Sequence, residues 1–180
     1  MQTEFEAKIL EINIEDIVKK LDKLWAKRIW EKLQKRLVYD FNPKKENSWI
    51  RLRDNGTKTT LTIKEINNDQ IDGTEELEVE VEDFERTNLI LEKLGYISKL
   101  YQENKRISYT LDDIEIEIDT RPLIPPYLEI EAKSLIDIEE TIKKLGFDVS
   151  QTTSMNTIKV YKKYWIELET IKELKFEELN

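Results

Sequence analysis

The stretch Thr3-Glu4-Phe5-Glu6-Ala7-Lys8-Ile9-Leu10 alternates without a break. Glu4, Glu6 and Lys8 fall on one face, and Phe5, Ala7 and Ile9 on the other. A period of two marks a half-buried strand. The pattern returns along the chain. Arg51 and Arg53 share a face opposite Ile50 and Leu52. Thr60, Thr62 and Lys64 form another polar row, and Glu76, Glu78 and Glu80 a third. Glu115, Glu117 and Asp119 alternate with Ile114, Ile116 and Ile118. Glu129, Glu131 and Lys133 alternate with Leu128, Ile130 and Ala132. An ordinary antiparallel strand shows mixed polar residues to water. Here the polar faces repeat as runs of full charges.

Between the strands lie helical patterns. Ile14, Ile17, Val18, Leu21 and Leu24 recur at helical spacing behind Asn13, a suitable N-cap. Residues 84–94 and 135–145 read as two more helices, closed by Gly95 and Gly146. Further strands are expected over 33–41, 58–66, 98–110 and 154–161, and a terminal helix over about 165–179. Asp54-Asn55-Gly56 turns a hairpin. No linker divides the chain, so residues 1–180 read as one domain.

Composition narrows the chemistry. Among 180 residues there is no cysteine and no histidine. That excludes disulfides, thiol catalysis, a histidine triad and imidazole metal sites. Any metal must sit on oxygen ligands. Asp plus Glu number 38 against 29 Lys plus Arg, a formal charge of −9 that disfavours a DNA partner. No secretory leader or long apolar segment is visible, so a cytoplasmic protein without membrane association is expected. There is no GxxxxGK[ST] stretch and no glycine-rich dinucleotide fingerprint.

The direction of the charged faces decides the rest. On an open sheet they would meet water. In a closed one they would line the inside, and about eight strands suffice for a usable interior. The fold expected is therefore α+β: an eight-stranded antiparallel β-barrel, a tunnel with a charged lumen and helices packed outside. Enclosed charges need compensation. Carboxylates suit a divalent ion, and arginine forks suit phosphate oxygens. Together they point to a metal-bound phosphate chain.

In this setting Glu4-Phe5-Glu6-Ala7-Lys8 resembles the ExExK signature of the CYTH superfamily, the triphosphate tunnel metalloenzymes. Ile50-Arg51-Leu52-Arg53, Leu61-Thr62-Ile63-Lys64, Glu76 to Glu80, Lys105-Arg106, Ile118-Asp119 and Leu128-Glu129-Ile130-Glu131 follow in the family's order. The resemblance spans roughly residues 2 to 162 and is closest to prokaryotic class IV adenylyl cyclase-like and inorganic triphosphatase proteins. It implies Mg²⁺ or Mn²⁺ held by Glu4, Glu6, Glu78, Asp119, Glu129 and Glu131. Glu76 and Glu117 stay open as alternatives. It implies a triphosphate gripped by Lys8, Arg51, Arg53, Lys64 and Arg106, with Lys133 near the late carboxylates. Glu4, Glu6, Lys8, Arg53 and Lys64 would carry the catalysis. On β-parity Arg106, not Lys105, faces the lumen.

The expected activity is metal-dependent hydrolysis of inorganic triphosphate or a nucleoside triphosphate. The alternatives are a class IV adenylyl cyclase making cyclic AMP and pyrophosphate, and a polyphosphate or nucleotide binder without turnover. The bland reading is a scaffold with solvated strand charges. The helices and tail carry enough apolar surface to leave a homodimer open.

Overall fold

The computed structural model describes residues 2–68 and 70–177, with only the backbone described at residues 2 and 4. Along them run β1 (Gln2–Ile9), α1 (Ile14–Lys23), β2 (Lys27–Tyr39), β3 (Ser48–Asp54), β4 (Thr59–Ile66), β5 (Thr74–Val81) and α2 (Phe84–Lys93). Then come β6 (Ser98–Leu111), β7 (Ile114–Thr120), β8 (Tyr127–Ala132), α3 (Leu135–Lys144), α4 (Thr157–Lys163) and β9 (Glu173–Leu174). The strands form one sheet in the order β2-β3-β4-β5-β1-β8-β7-β6-β9, and β2 also pairs with β6.

The sheet is therefore strongly curled, but the expected closed tunnel of eight antiparallel strands is corrected. On one side β2 and β6 share twelve register pairs, from Lys27↔Thr110 to Tyr39↔Ser98. On the other, β1 meets β5 at three: Gln2↔Glu76, Thr3↔Glu75 and Glu4↔Thr74. Beyond that overlap Phe5–Ile9 pair with β8, and Thr59–Ile63 of β4 are the ladder partners of Leu77–Val81. The reason is stagger. β5 begins at Thr74, so the rest of β1 passes a loop instead of a strand. Loop and tail backbone stand in there. Glu6 N–H donates to Ile71 C=O at 3.1 Å, and Lys8 exchanges bonds with Thr153 at 2.8 and 2.9 Å. The result is two curved halves, joined firmly along β2–β6 and open along most of β1–β5. Nor is the sheet wholly antiparallel, because β9 runs parallel to β6.

The apolar faces point outward, to helices. Ile17 and Leu21 of α1, with Ile138 and Ile142 of α3, share a buried cluster with Ala7, Ile116, Ile118, Leu128 and Ile130. Burying each such Ile or Leu is worth about 1.5–3 kcal/mol. Phe84 and Leu91 of α2 cover Tyr39, Ile50 and Leu52. The three helices start as the sequence predicts. Asn13, Asp83 and Ser134 each accept an N–H from the residue three further on. Gly95 and Gly146 end α2 and α3 at φ of 90° and 74°.

The tail is the second correction. Residues 154–161 do not form the expected strand, and 165–177 do not form a helix. Asn156 caps α4, which stops at Lys163; Trp165 then takes a left-handed turn at φ 62°. A single 3₁₀ turn over Leu168–Thr170 and a short strand then bury Leu168 and Leu174 beside Leu100 and Tyr161. Residues 178–179 of that expected helix lie outside the described residues. No helix among the described residues is long and apolar enough to cross a membrane.

Candidate functional site

A cavity of about 840 Å³ fills the curl of the sheet. Nine of the expected residues line it: Glu6, Lys8, Arg51, Arg53, Lys64, Glu78, Arg106, Glu129 and Glu131. The alternatives Glu76 and Glu117 line it too. So most of the charged strand residues point inward, while Glu80 is exposed and off the lining. The side chain of Glu4 lies outside the described residues; its backbone pairs with Thr74.

The cavity has walls of opposite sign. On β1, β8 and β7, register places Glu6 opposite Glu131, and Glu131 opposite Glu115. One step along, Lys8 is opposite Glu129, and Glu129 opposite Glu117. Three carboxylates across three neighbouring strands are a repulsive row. On β3 and β4, Arg51, Arg53 and Lys64 supply cations, separated by Thr60 and Thr62. Ion pairs within and between the walls neutralise part of this charge. Lys8 pairs with Glu6 and lies 3.7 Å from Glu129. Lys64 lies 2.5 Å from Glu76 and 4.0 Å from Glu6. Glu78 sits 3.4 Å from both Arg51 and Arg53, and accepts from Thr62 at 2.7 Å.

Asp119 behaves differently from the other carboxylates. It is fully buried. One oxygen accepts from Arg106 Nε at 2.7 Å and Asn104 Nδ2 at 3.1 Å; the other accepts from Arg106 Nη2, Arg121 Nη2 and the Tyr127 hydroxyl. Two oxygens offer about four lone-pair sites, and all are taken. Burial alone would raise its pKa, but Arg106 and Arg121 hold it well below the usual carboxylate range. The neighbouring Glu117 shows the opposite balance. Burial pushes it up to about 7 despite its pairing with Arg106. Lys8 is lowered, by burial first. Arg53 is lowered to about 10, chiefly by the adjacent Arg51.

Two expectations meet a different geometry. Lys133 follows the end of β8, so the strand's alternation no longer sets its direction. Its side chain is 80% exposed, 3.7 Å from Asp113 on the outer surface. Among the described residues no three carboxylates converge into a metal cage. The donor chemistry still suits a hard cation. The Glu6–Glu131–Glu115 row is all oxygen, and its mutual repulsion is what a divalent ion would relieve. Lys105 sits outside, over the Phe176 ring at 4.8 Å, so the parity argument for Arg106 holds.

The sequence reading passed over several inward residues. Gln34 and Arg36 on β2, Gln102 on β6 and Arg121 after β7 all line the cavity. Arg121 shares parity with Asp119, which was the available signal. Gln34 and Arg36 share parity with the apolar Val38, which hid them. Trp30 and Trp49 also line the cavity. Tyr39 and Tyr109 pack in the outer cores instead, and Trp25 is 92% exposed.

Comparison with known proteins agrees with this geometry. The model of the CYTH domain matches residues 3–158. A Methanocaldococcus jannaschii protein named as a candidate adenylate cyclase is 30% identical over 168 residues, covering 88% of this chain and 95% of the relative. A conserved hypothetical protein of Pyrococcus furiosus has the same fold, with a TM-score of 0.74 and 24% identity, over 86% of this chain and 98% of that one. A Hippeastrum protein described as a candidate adenylyl cyclase with a dominant triphosphatase activity superposes with a TM-score of 0.60 at 15% identity. That match covers 95% of this chain and 100% of the other. With the family model spanning most of its length and a relative 30% identical across 88% of it, the chain belongs to the CYTH family of triphosphate-processing enzymes.

Proposed function

We propose that the protein hydrolyses a triphosphate, inorganic or nucleoside-linked, with the help of Mg²⁺ or Mn²⁺. One observation carries the reading: an acidic wall and a basic wall face each other across a single cavity of about 840 Å³. A polyphosphate chain with a divalent cation is complementary to both walls at once. Neither partner alone is.

In this reading Arg51, Arg53 and Lys64 grip the phosphate oxygens, the arginines with paired donors, and Arg106, its fork held by Asp119, adds the charge of its remaining nitrogen. Lys8 sits between Glu6 and Glu129 and presents one more cation to the chain. Glu6, Glu129 and Glu131 would hold the cation, with Glu4 and Glu78 as further ligands. The bound cation supplies charge neutralisation and a more acidic water. The water oxygen bonds to the terminal phosphorus, the bridging P–O bond breaks, and orthophosphate departs. The basic wall stabilises the charge that moves onto the leaving oxygen. Because the chain has no histidine, the proton from water passes to a carboxylate or to solvent. Asp119 is a positioning residue here, fixing Arg106.

Cyclisation of ATP is the second reading. It is favoured by Trp30 and Trp49, which line the cavity and offer faces for a purine. The Hippeastrum protein shows that on this fold a cyclase designation and a dominant triphosphatase activity coincide.

The deciding experiment is a panel of tripolyphosphate, ATP and other nucleoside triphosphates, each with Mg²⁺ or Mn²⁺. Orthophosphate release supports hydrolysis. Cyclic AMP with pyrophosphate replaces it by the second reading. A rise in melting temperature without turnover identifies a binder. No response to any of them overturns the proposal.

A further inference from the structure

Arg36 on β2 and Arg53 on β3 are register partners in an antiparallel ladder, and both side chains line the cavity. Like charges directly opposite each other are destabilising. Both side chains also carry an Nε that is buried and has no hydrogen-bond partner. Arg36 is 7% exposed. Its hydrogen bond goes from Nη2 to the neutral Asn104 Oδ1. Its pKa is well below the ordinary arginine value, first through burial and then through Arg121 and Arg51. Beside it on the same strand, Gln34 is 1% exposed, and its Oε1 has no partner.

A buried guanidinium facing other guanidiniums is costly unless something negative sits between them. Arg106 and Arg121 have Asp119 for this purpose. Arg53 has Glu78 at 3.4 Å. Among the described residues no carboxylate lies within ion-pairing distance of Arg36, and Asp119 acts on it only from farther off. Its unpartnered Nε is buried, and the residue lines the cavity that the proposed substrate would occupy.

We infer that Arg36 is a substrate-contacting residue, forming with Arg53 a paired guanidinium clamp for one phosphoryl group of a polyphosphate chain. The inference rests on the triphosphate reading and deepens it. It adds a cation on β2 to those on β3, β4 and β6. The clamp surrounds one phosphoryl group from two strands, so it acts on the phosphate chain whatever that chain is attached to.

The test uses the whole chain and tripolyphosphate in EDTA, so that binding is read without turnover. Isothermal titration is run on the wild type and on Arg36→Gln, with the melting temperature of each unliganded protein. Arg36→Gln should raise the Kd for tripolyphosphate about tenfold or more, the loss of a charge-assisted contact. Its unliganded melting temperature should stay level or rise, because a repulsion has been removed. A lowered melting temperature with unchanged Kd overturns the inference and makes Arg36 a structural partner of Asn104. Should Arg36→Gln not fold, Arg36→Lys takes its place. Lysine keeps the charge without the fork, so undiminished affinity in that variant overturns the clamp. A wild type that ignores tripolyphosphate in EDTA and with Mg²⁺ overturns the triphosphate reading itself, and the inference with it. A wild type that binds, alongside a variant that binds equally well, overturns the clamp alone.

Discussion

Asp119 takes both ends of the Arg106 fork, Nε at 2.7 Å on one carboxylate oxygen and Nη2 at 2.8 Å on the other. A two-pronged contact of this kind fixes the plane of the guanidinium. Its third nitrogen, Nη1, is left to pair with Glu117 at the cavity wall. The orientation of one proposed phosphate ligand is thus set by a buried residue that itself has no free lone pair.

Asp119→Asn should therefore unfold the protein more easily. Removing the charge leaves Arg106 and Arg121 uncompensated, a loss of about 3–5 kcal/mol. The Asp119 pKa is depressed in the folded state, so its contribution is present above the ordinary carboxylate pKa. It fades as the pH falls below about 4. Denaturant melts of wild type and variant should differ widely at neutral pH and converge on acidification. Equal stability at neutral pH would contradict the role.

Glu6→Gln addresses the acidic wall. The side chain stands in the Glu6–Glu131–Glu115 row and also pairs with Lys8. Metal-dependent turnover should drop by about two orders of magnitude, while the melting temperature changes little. The ratio of rates at saturating Mg²⁺ and Mn²⁺ is the readout. Parallel loss of folding and activity would make the carboxylate a structural ion-pair partner.

Arg53→Ala should weaken triphosphate binding by about ten- to a hundredfold, the loss of a charged hydrogen-bonding group. The salt dependence of Kd should become shallower in the variant. Binding unchanged at low and high salt would remove Arg53 from the site.

Lys133→Ala is the contrasting case. The side chain is on the outer surface beside Asp113, where an exposed pair contributes about 0–1 kcal/mol. Neither kcat nor tripolyphosphate affinity should move outside error. A clear loss of either would return Lys133 to the site.

Leu168→Ala probes the tail. Leu168 is buried with Leu100 and Tyr161 and also lines the cavity. A loss of about 2–5 kcal/mol is expected in denaturant melts, and no loss would mean the tail is not part of the packed unit.

The sequence was most legible where one period governed a whole segment. Ile114 to Asp119 alternates apolar and acidic, and both the strand and its inward face follow directly. Asn13 and Gly146 marked helix ends correctly because capping is local chemistry. Closure was not legible, since it depends on the stagger of β1 against β5, and no residue pattern encodes that offset. The tail misled for a related reason. Residues 157–163, Thr-Ile-Lys-Val-Tyr-Lys-Lys, alternate and are rich in β-branched side chains, yet form α4. Burial of Val160 and Tyr161 against the rest of the fold overrode that local preference. Arg36 escaped because polar parity on β2 is broken by Val38. Its unusual state comes from burial and from Arg121 and Arg51, surroundings that only folding supplies.

The unequal seams have a mechanical consequence. Twelve ladder pairs along β2–β6 act as the spine of a book, and three pairs along β1–β5 as its loose fore-edge. The acidic cover is β1, β8 and β7; the basic cover is β3 and β4. Thermal breathing is cheapest at the fore-edge, where it parts Glu6 from Lys64. A multivalent anion and its counter-ion lying between the covers would draw them shut, so occupancy and stiffness of the molecule are one variable.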